Sequence, residues 1–179
     1  MNETDIKKKK MSTTRGRYVR VQRVTGDEQI NLVKIKVYDA QGNAYTIAGA
    51  TIFPPDASFP ASRLLTDGYE FVHTGPRTNK GYVEVDLGAD KDITKVVIIN
   101  RGDCCMDRMV GLTVIVTTAD RVATYTKLID DIYDQYTLNL GPVQGPVPHP
   151  RLPPHRRRRQ SRRIPPATTA SLSCMAALR

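Results

Sequence analysis

Residues 82–100 read YVEVDLGADKDITKVVIIN, and two patterns in this stretch decide the fold. In YVEVDLG, Val83, Val85 and Leu87 alternate with Glu84 and Asp86. A period of two is the mark of a strand with one buried and one wet face. The next run, ITKVVIINR, is almost continuously apolar, which fits a central strand covered on both faces. Downstream, GLTVIVTT, RVATYTKLI and YTLNL follow at short spacing. Upstream, GRYVRVQRV sets Val19 and Val21 against Tyr18, and INLVKIKVYD sets Val33, Ile35 and Val37 against Lys34 and Lys36. The turn Thr25-Gly26-Asp27-Glu28 between them predicts a paired, hairpin-like unit. Residues 44–81 hold Pro54-Pro55, Pro60, Asp67-Gly68 and Gly75-Pro76 and read as one long irregular loop, a kind that often carries function. Seven or eight strands and no amphipathic helix predict an all-β, antiparallel β-sandwich over residues 16–141.

Charge divides the chain differently. There are 27 Lys+Arg against 18 Asp+Glu, a net charge of +9. Residues 142–179 hold eight arginines and no acid, so they carry +8 of that excess. The expected sandwich is therefore close to neutral, which disfavours a uniformly basic nucleic-acid-binding domain. Residues 1–15 read as a charged, disordered N-terminal arm. Residues 142–179 read as a Pro/Arg-rich disordered tail, since eight of the twelve prolines fall there and HRRRRQSRR lies among them. Three readings of this basic tail stay open: polyanion or nucleic-acid binding through residues 151–163, a nuclear-import-type address, or a GC-rich frame read out of register. No window approaches the ~18 consecutive apolar residues of a membrane helix, and no apolar run follows the N-terminal charges as a Sec signal peptide requires. Localisation stays open, with virion association and non-Sec export both compatible.

Chemistry concentrates in Asn100-Arg101-Gly102-Asp103-Cys104-Cys105-Met106-Asp107-Arg108, with His73 upstream. Adjacent cysteines cannot staple distant segments, and with Cys174 alone in the tail there is neither a disulfide framework nor a metal knuckle. Two arginines after a strand are ordinarily surface ion-pair partners, worth ~0–1 kcal/mol each. Arg101-Gly102-Asp103 also spells the integrin tripeptide, but it follows a buried strand directly and is not a protruding tip. No nucleophile–base set, phosphate-cradling glycine loop or paired carboxylates stand out, so the chain reads as no enzyme.

The combination closely resembles the signature of the F-type lectins (fucolectins): a His, then Arg-x-Asp, then four residues and a second Arg or Lys, with vicinal cysteines after the Asp. Arg101, Asp103 and Arg108 match that spacing, and Cys104–Cys105 fall where the pair belongs. ASRLLTDG, YVEVDLGADKDITKVVIINR and GLTVIV also look like the discoidin-like, galactose-binding jelly roll to which fucolectins belong. GRYVRVQRV and INLVKIKVYD resemble strands that ordinarily end such domains, so their leading position implies a circular permutation, which neighbouring termini make tolerable. The resemblance implies a non-catalytic site for terminal L-fucose or a related sugar on glycans. Two guanidinium forks from Arg101 and Arg108 would donate to hydroxyls, His73 would donate or accept, and Asp103 would hold a guanidinium. Tyr69 and Phe71 would wall the fucose methyl, and a Cys104–Cys105 disulfide would pack on the sugar edge.

The resemblance also implies a structural calcium ion whose ligands include the Asp of the Asp-Gly turn, here Asp67, and a strand Glu. Lys34 stands at that Glu position, and an ammonium repels a cation at close range. No cofactor is therefore required, and calcium binding is expected to be weak or absent. Lys34 would either pair with Asp67 or point to solvent. Expected partners are fucosylated glycans, bound by a homo-oligomer or surface array because shallow polar sites bind weakly one at a time. The alternative is a structural scaffold, for example a virion component, whose tail binds polyanions.

Overall fold

The computed structural model describes residues 13–75 and 80–140. The expectations for an arm before residue 13 and for the tail of 142–179, with its 151–163 polyanion segment, lie outside the described residues. Among the described residues, nine strands build two antiparallel sheets: β1 (Thr14–Arg23), β2 (Asn31–Tyr38), β3 (Gly49–Phe53), β4 (Val72–His73), β5 (Tyr82–Ile93), β6 (Lys95–Asn100), β7 (Leu112–Thr117), β8 (Ala123–Leu128) and β9 (Gln135–Asn139). A five-stranded sheet runs β3-β5-β1-β7-β8 and a four-stranded sheet runs β4-β2-β6-β9. The fold is thus the expected antiparallel β-sandwich. Among the described residues there is no α-helix, only 3₁₀ turns at Ala61–Leu65 and Met106–Met109, and hence no helix long and apolar enough to cross a membrane.

The core forms where alternation predicts it. Val19 and Val21 of β1, Val83, Val85 and Leu87 of β5, and Val114 and Val116 of β7 face Leu32, Ile35 and Val37 of β2 and Val96 and Ile98 of β6. The β6 run is central, between β2 and β9, with Val97 of its other face buried too. A slip in pairing between Leu32 and Lys34 places a bulge at Val33, so the inward set of β2 is not the simple alternation 33, 35, 37.

Four expectations need correcting. β1 and β2 are not paired: β1 lies between β5 and β7, and β2 lies between β4 and β6. Alternation fixes which face of a strand is buried, not which strand is beside it, and the 24–30 connection crosses from one sheet to the other. β1 begins at Thr14, ahead of the expected boundary at residue 16, with Thr14 and Arg15 opposite Ile93 and Asp92. Residues 44–81 are not one irregular loop, since β3 and β4 lie within them. Glu84 is buried although alternation points it outward. Arg20 and Arg121 cover it, with Arg20 Nε 2.8 Å and Arg121 Nη1 2.8–2.9 Å from its carboxylate.

Candidate functional site

The end of β2 that starts at Asn31 brings together two of the predicted residues, His73 and Arg101. β4 pairs there on one side, with His73 opposite Asn31, and β6 on the other, with Asn100 opposite Leu32. His73 and Arg101 thus flank the same strand end, about two strand spacings or ~10 Å apart at the backbone. Aromatic rings bridge this gap. The Arg101 guanidinium carbon lies 3.7 Å from the centroid of Phe71, Phe71 stacks on Phe59 at 4.8 Å, and Phe59 meets His73 at 5.4 Å. The guanidinium of Arg63 also lies over Phe59, 5.4 Å away, and its Nη1 donates to the Phe71 carbonyl at 3.0 Å.

Local sequence explains the positions. β6 ends at Asn100, whose buried amide closes the loop behind it. Asn100 Nδ2 donates to the carbonyls of Met106 and Tyr133, both at 3.1 Å, and its Oδ1 accepts from Arg101 N at 2.8 Å. Cys104 and Cys105 are joined as a disulfide, and Cys105 takes a left-handed φ of 60° just before the 3₁₀ turn that carries Arg108. Arg23, buried at the end of β1, donates from Nη2 to the Arg108 carbonyl at 2.5 Å, which anchors that turn from beneath. On the other flank, a Cβ at Gly75 would stand 2.5 Å from the Pro55 carbonyl oxygen, so glycine permits the close approach of the Pro54–Asp56 segment. That approach brings Asp56 Oδ2 to 3.7 Å from His73 Nδ1.

Electrostatics set the protonation states. Arg101 donates Nε to Asp103 Oδ1 at 2.5 Å and Nη2 to Oδ2 at 2.8 Å, and this fork holds the Asp103 carboxyl below its ordinary value. The same pairing takes the carboxylate out of the integrin tripeptide. His73 is held below its ordinary 6.5, chiefly by burial and then by the positive charge of Arg108, with Arg101 adding a smaller push. Asp56 pulls the other way and is outweighed, being beyond hydrogen-bond range of a buried imidazole. Both guanidiniums therefore act on one neutral imidazole, a set that offers fixed donors and one group able to donate or accept. The folded state binds fewer protons than the unfolded one between the folded pKa of His73 and 6.5, so stability rises with pH across that window and the charge penalty is full below it. We expect the His73 ring resonances in NMR to titrate below pH 6.5. A midpoint above that value would mean that Asp56 dominates.

The other candidates separate. Phe71 belongs to the site, whereas Tyr69 is 75% exposed and lines a neighbouring cleft with Asp67, Lys34 and Lys36. Lys34 neither points to solvent nor forms a hydrogen bond with Asp67. It is buried, and its Nζ donates to the carbonyls of Arg63, at 2.6 Å, and Thr66. Burial lowers the Lys34 pKa, and the charge of Asp67 partly opposes this. Among the described residues no three His, Cys, Asp or Glu side chains cluster as metal ligands.

Sequence reasoning missed Asp56, Phe59, Arg63, Arg23 and Asn100. The first three lie in the 44–81 stretch marked as functional, but nothing in their spacing singles them out. A polar residue closing an apolar strand was the available sign for Asn100. Asn31 is fully buried beside His73, with both side-chain polar atoms unpartnered among the described residues.

Comparison with known proteins agrees with the fold. The family model described as NedA-like, galactose-binding domain matches residues 65–145, less than half of the chain. No curated protein and no solved structure matches it.

Proposed function

We propose that this protein is a non-catalytic carbohydrate-binding domain of discoidin-like fold, whose site of His73, Arg101 and Arg108 takes terminal L-fucose or a related sugar. The observation that carries this reading is the pair of guanidiniums acting on one neutral imidazole beside the Phe71–Phe59 stack. Sugar hydroxyls donate and accept at once, and the arrangement offers both roles against rings that suit C–H faces. The family description, a galactose-binding domain, supports a sugar as ligand, and L-fucose is the 6-deoxy sugar of the L-galactose series, with a methyl in place of CH₂OH. In this reading Asp103, which accepts from Nε and Nη2 of Arg101, positions that guanidinium, and the Cys104–Cys105 disulfide would edge the site. A circular permutation accounts for a match that begins at residue 65 while β1 and β2, which precede it, are interior strands of their sheets. A single shallow site binds weakly, so adhesion through it calls for several copies in an oligomer or surface array. The fluorescently labelled full chain should light fucosylated glycans on a glycan array, in a manner competed by L-fucose. An array on which no glycan gives signal would remove the reading.

The domain in this reading works without calcium. An ammonium already occupies the carbonyls of Arg63 and Thr66, and a divalent cation beside Lys34 would be repelled. Calcium at millimolar concentration, or a chelator, should move the melting temperature by less than about 1 °C. Lys34→Met should lower it by several degrees, since the two carbonyls lose a charged donor. A clear rise with calcium and fall with chelator would contradict this assignment.

A further inference from the structure

We propose that the cleft beside Tyr69 is a second subsite, which takes the sugar ring next to the terminal one; the proposal rests on the reading of the His73–Arg101–Arg108 site given above. The cleft has a volume of about 340 Å³ and is walled by Tyr69, Leu65, Thr66, Asp67, Lys36 and Thr46. That volume falls at the lower end of the range for small-molecule sites, about 300–1,000 Å³.

Three observations favour a neutral sugar as occupant. First, Tyr69 is 75% exposed, and among the described residues its ring makes no stacking contact and its hydroxyl no hydrogen bond. Stacking an aromatic ring on the C–H face of a pyranose removes apolar surface from water and leaves the sugar hydroxyls at the rim. Second, the polar lining mixes the carboxylate of Asp67, the ammonium of Lys36, that of Lys34, which two carbonyls already hold, and the hydroxyls of Tyr38, Thr46, Thr66 and Tyr69. Asp67 would disfavour an anionic ligand and Lys36 a cationic one, whereas a polyol can satisfy all of them.

Third, one segment of chain runs from the cleft to the terminal-sugar site, and the cleft is built before any ligand arrives. Tyr69, Phe71 and His73 follow one another at every second residue, and the segment between them contains no turn or bend. From Tyr69 to Phe71, the ring that lies under Arg101, such a segment advances only ~7 Å, the scale of neighbouring rings in an oligosaccharide. Tyr69 follows the Asp67-Gly68 bend, just after the carbonyls that Lys34 holds. Little loop ordering is then left for binding, which favours affinity.

The test is calorimetric titration of the full chain, as wild type, Tyr69→Ala and Arg101→Ala, with L-fucose and with a panel of fucosylated trisaccharides differing in linkage. Wild type should bind at least one trisaccharide about 5- to 20-fold more tightly than L-fucose, the scale of one aromatic contact. Tyr69→Ala should keep its L-fucose affinity within about twofold and lose the trisaccharide advantage. The subsite is overturned if no trisaccharide has an advantage, or if Tyr69→Ala retains it. If trisaccharides bind but Arg101→Ala has no effect, the terminal-sugar reading fails, and loss on Tyr69→Ala still decides the cleft. If wild type binds no member of the panel and no L-fucose, both fall.

Discussion

Arg101→Ala should cut the affinity for L-fucose by about 30- to 150-fold, equivalent to about 2–3 kcal/mol. The guanidinium is pinned in a fork by Asp103 and lies on the face of Phe71, so its remaining N–H groups have a fixed direction before any sugar arrives. Removing it deletes charge-assisted donors and uncovers the ring on which the site is built. Arg101→Lys should recover little, because an ammonium cannot grip Asp103 with two parallel bonds or lie flat on Phe71. The fold should persist in both variants, since this side chain bridges surface loops and no core residue depends on it. Titration calorimetry gives the affinity and thermal unfolding gives the control. An affinity within about threefold of wild type would refute the role of Arg101.

Asn100→Ala should be the costlier change for the fold. Its amide is 3% exposed and donates to two carbonyls, Met106 in the Arg108 turn and Tyr133 before β9, while its oxygen accepts from Arg101 N. Alanine removes three part-buried hydrogen bonds at once, a loss of about 2–4 kcal/mol. For a domain of this size the melting temperature should fall by about 8–15 °C. Asn100→Asp should not rescue it, because an ionised carboxylate cannot donate to either carbonyl and would be buried. Sugar binding should weaken as well, since both Arg101 and Arg108 sit on the loop that this amide closes. A fall of less than about 2 °C in calorimetry would mean that the loop is held by something else.

Much of the sandwich is legible in the sequence because its strands are covered on known faces. Val83, Val85 and Leu87 alternate, the 96–99 run does not, and both patterns appear in the structure as a half-covered and a central strand. Neighbour choice is not legible. β1 and β2 are consecutive and similarly patterned, but each finds its partners far along the chain, and only three-dimensional packing selects them. β3 was invisible for another reason: as an edge strand it buries Ile52 alone among its residues, too little to mark a pattern. Glu84 departs from the alternation because two arginines cover its carboxylate, Arg20 of the neighbouring strand β1 and Arg121 of a turn. Arg121 adopts a left-handed φ of 63° between β7 and β8, and its guanidinium returns over the sheet.

The site was legible as a motif and incomplete as a structure. Resemblance to the F-type lectin signature named His73, Arg101, Asp103 and Arg108, and His73 and Arg101 stand at two strand ends that flank β2. It could not separate Phe71, which lies under Arg101, from Tyr69, which lines the adjoining cleft. It could not supply Phe59 or Asp56 either, since their approach depends on the fit of the 54–56 segment over Gly75. Lys34 was legible as a cation in place of an acid, whereas its carbonyl partners, contributed by the 3₁₀ turn at Ala61–Leu65 and the residue after it, were not.

The most direct measurement is titration calorimetry of the full chain with L-fucose at neutral pH, where His73 is uncharged. The account predicts a saturable one-to-one heat that weakens as the pH falls and the imidazole gains a proton between two guanidiniums. No measurable heat at millimolar L-fucose, together with an unperturbed fold, would contradict it.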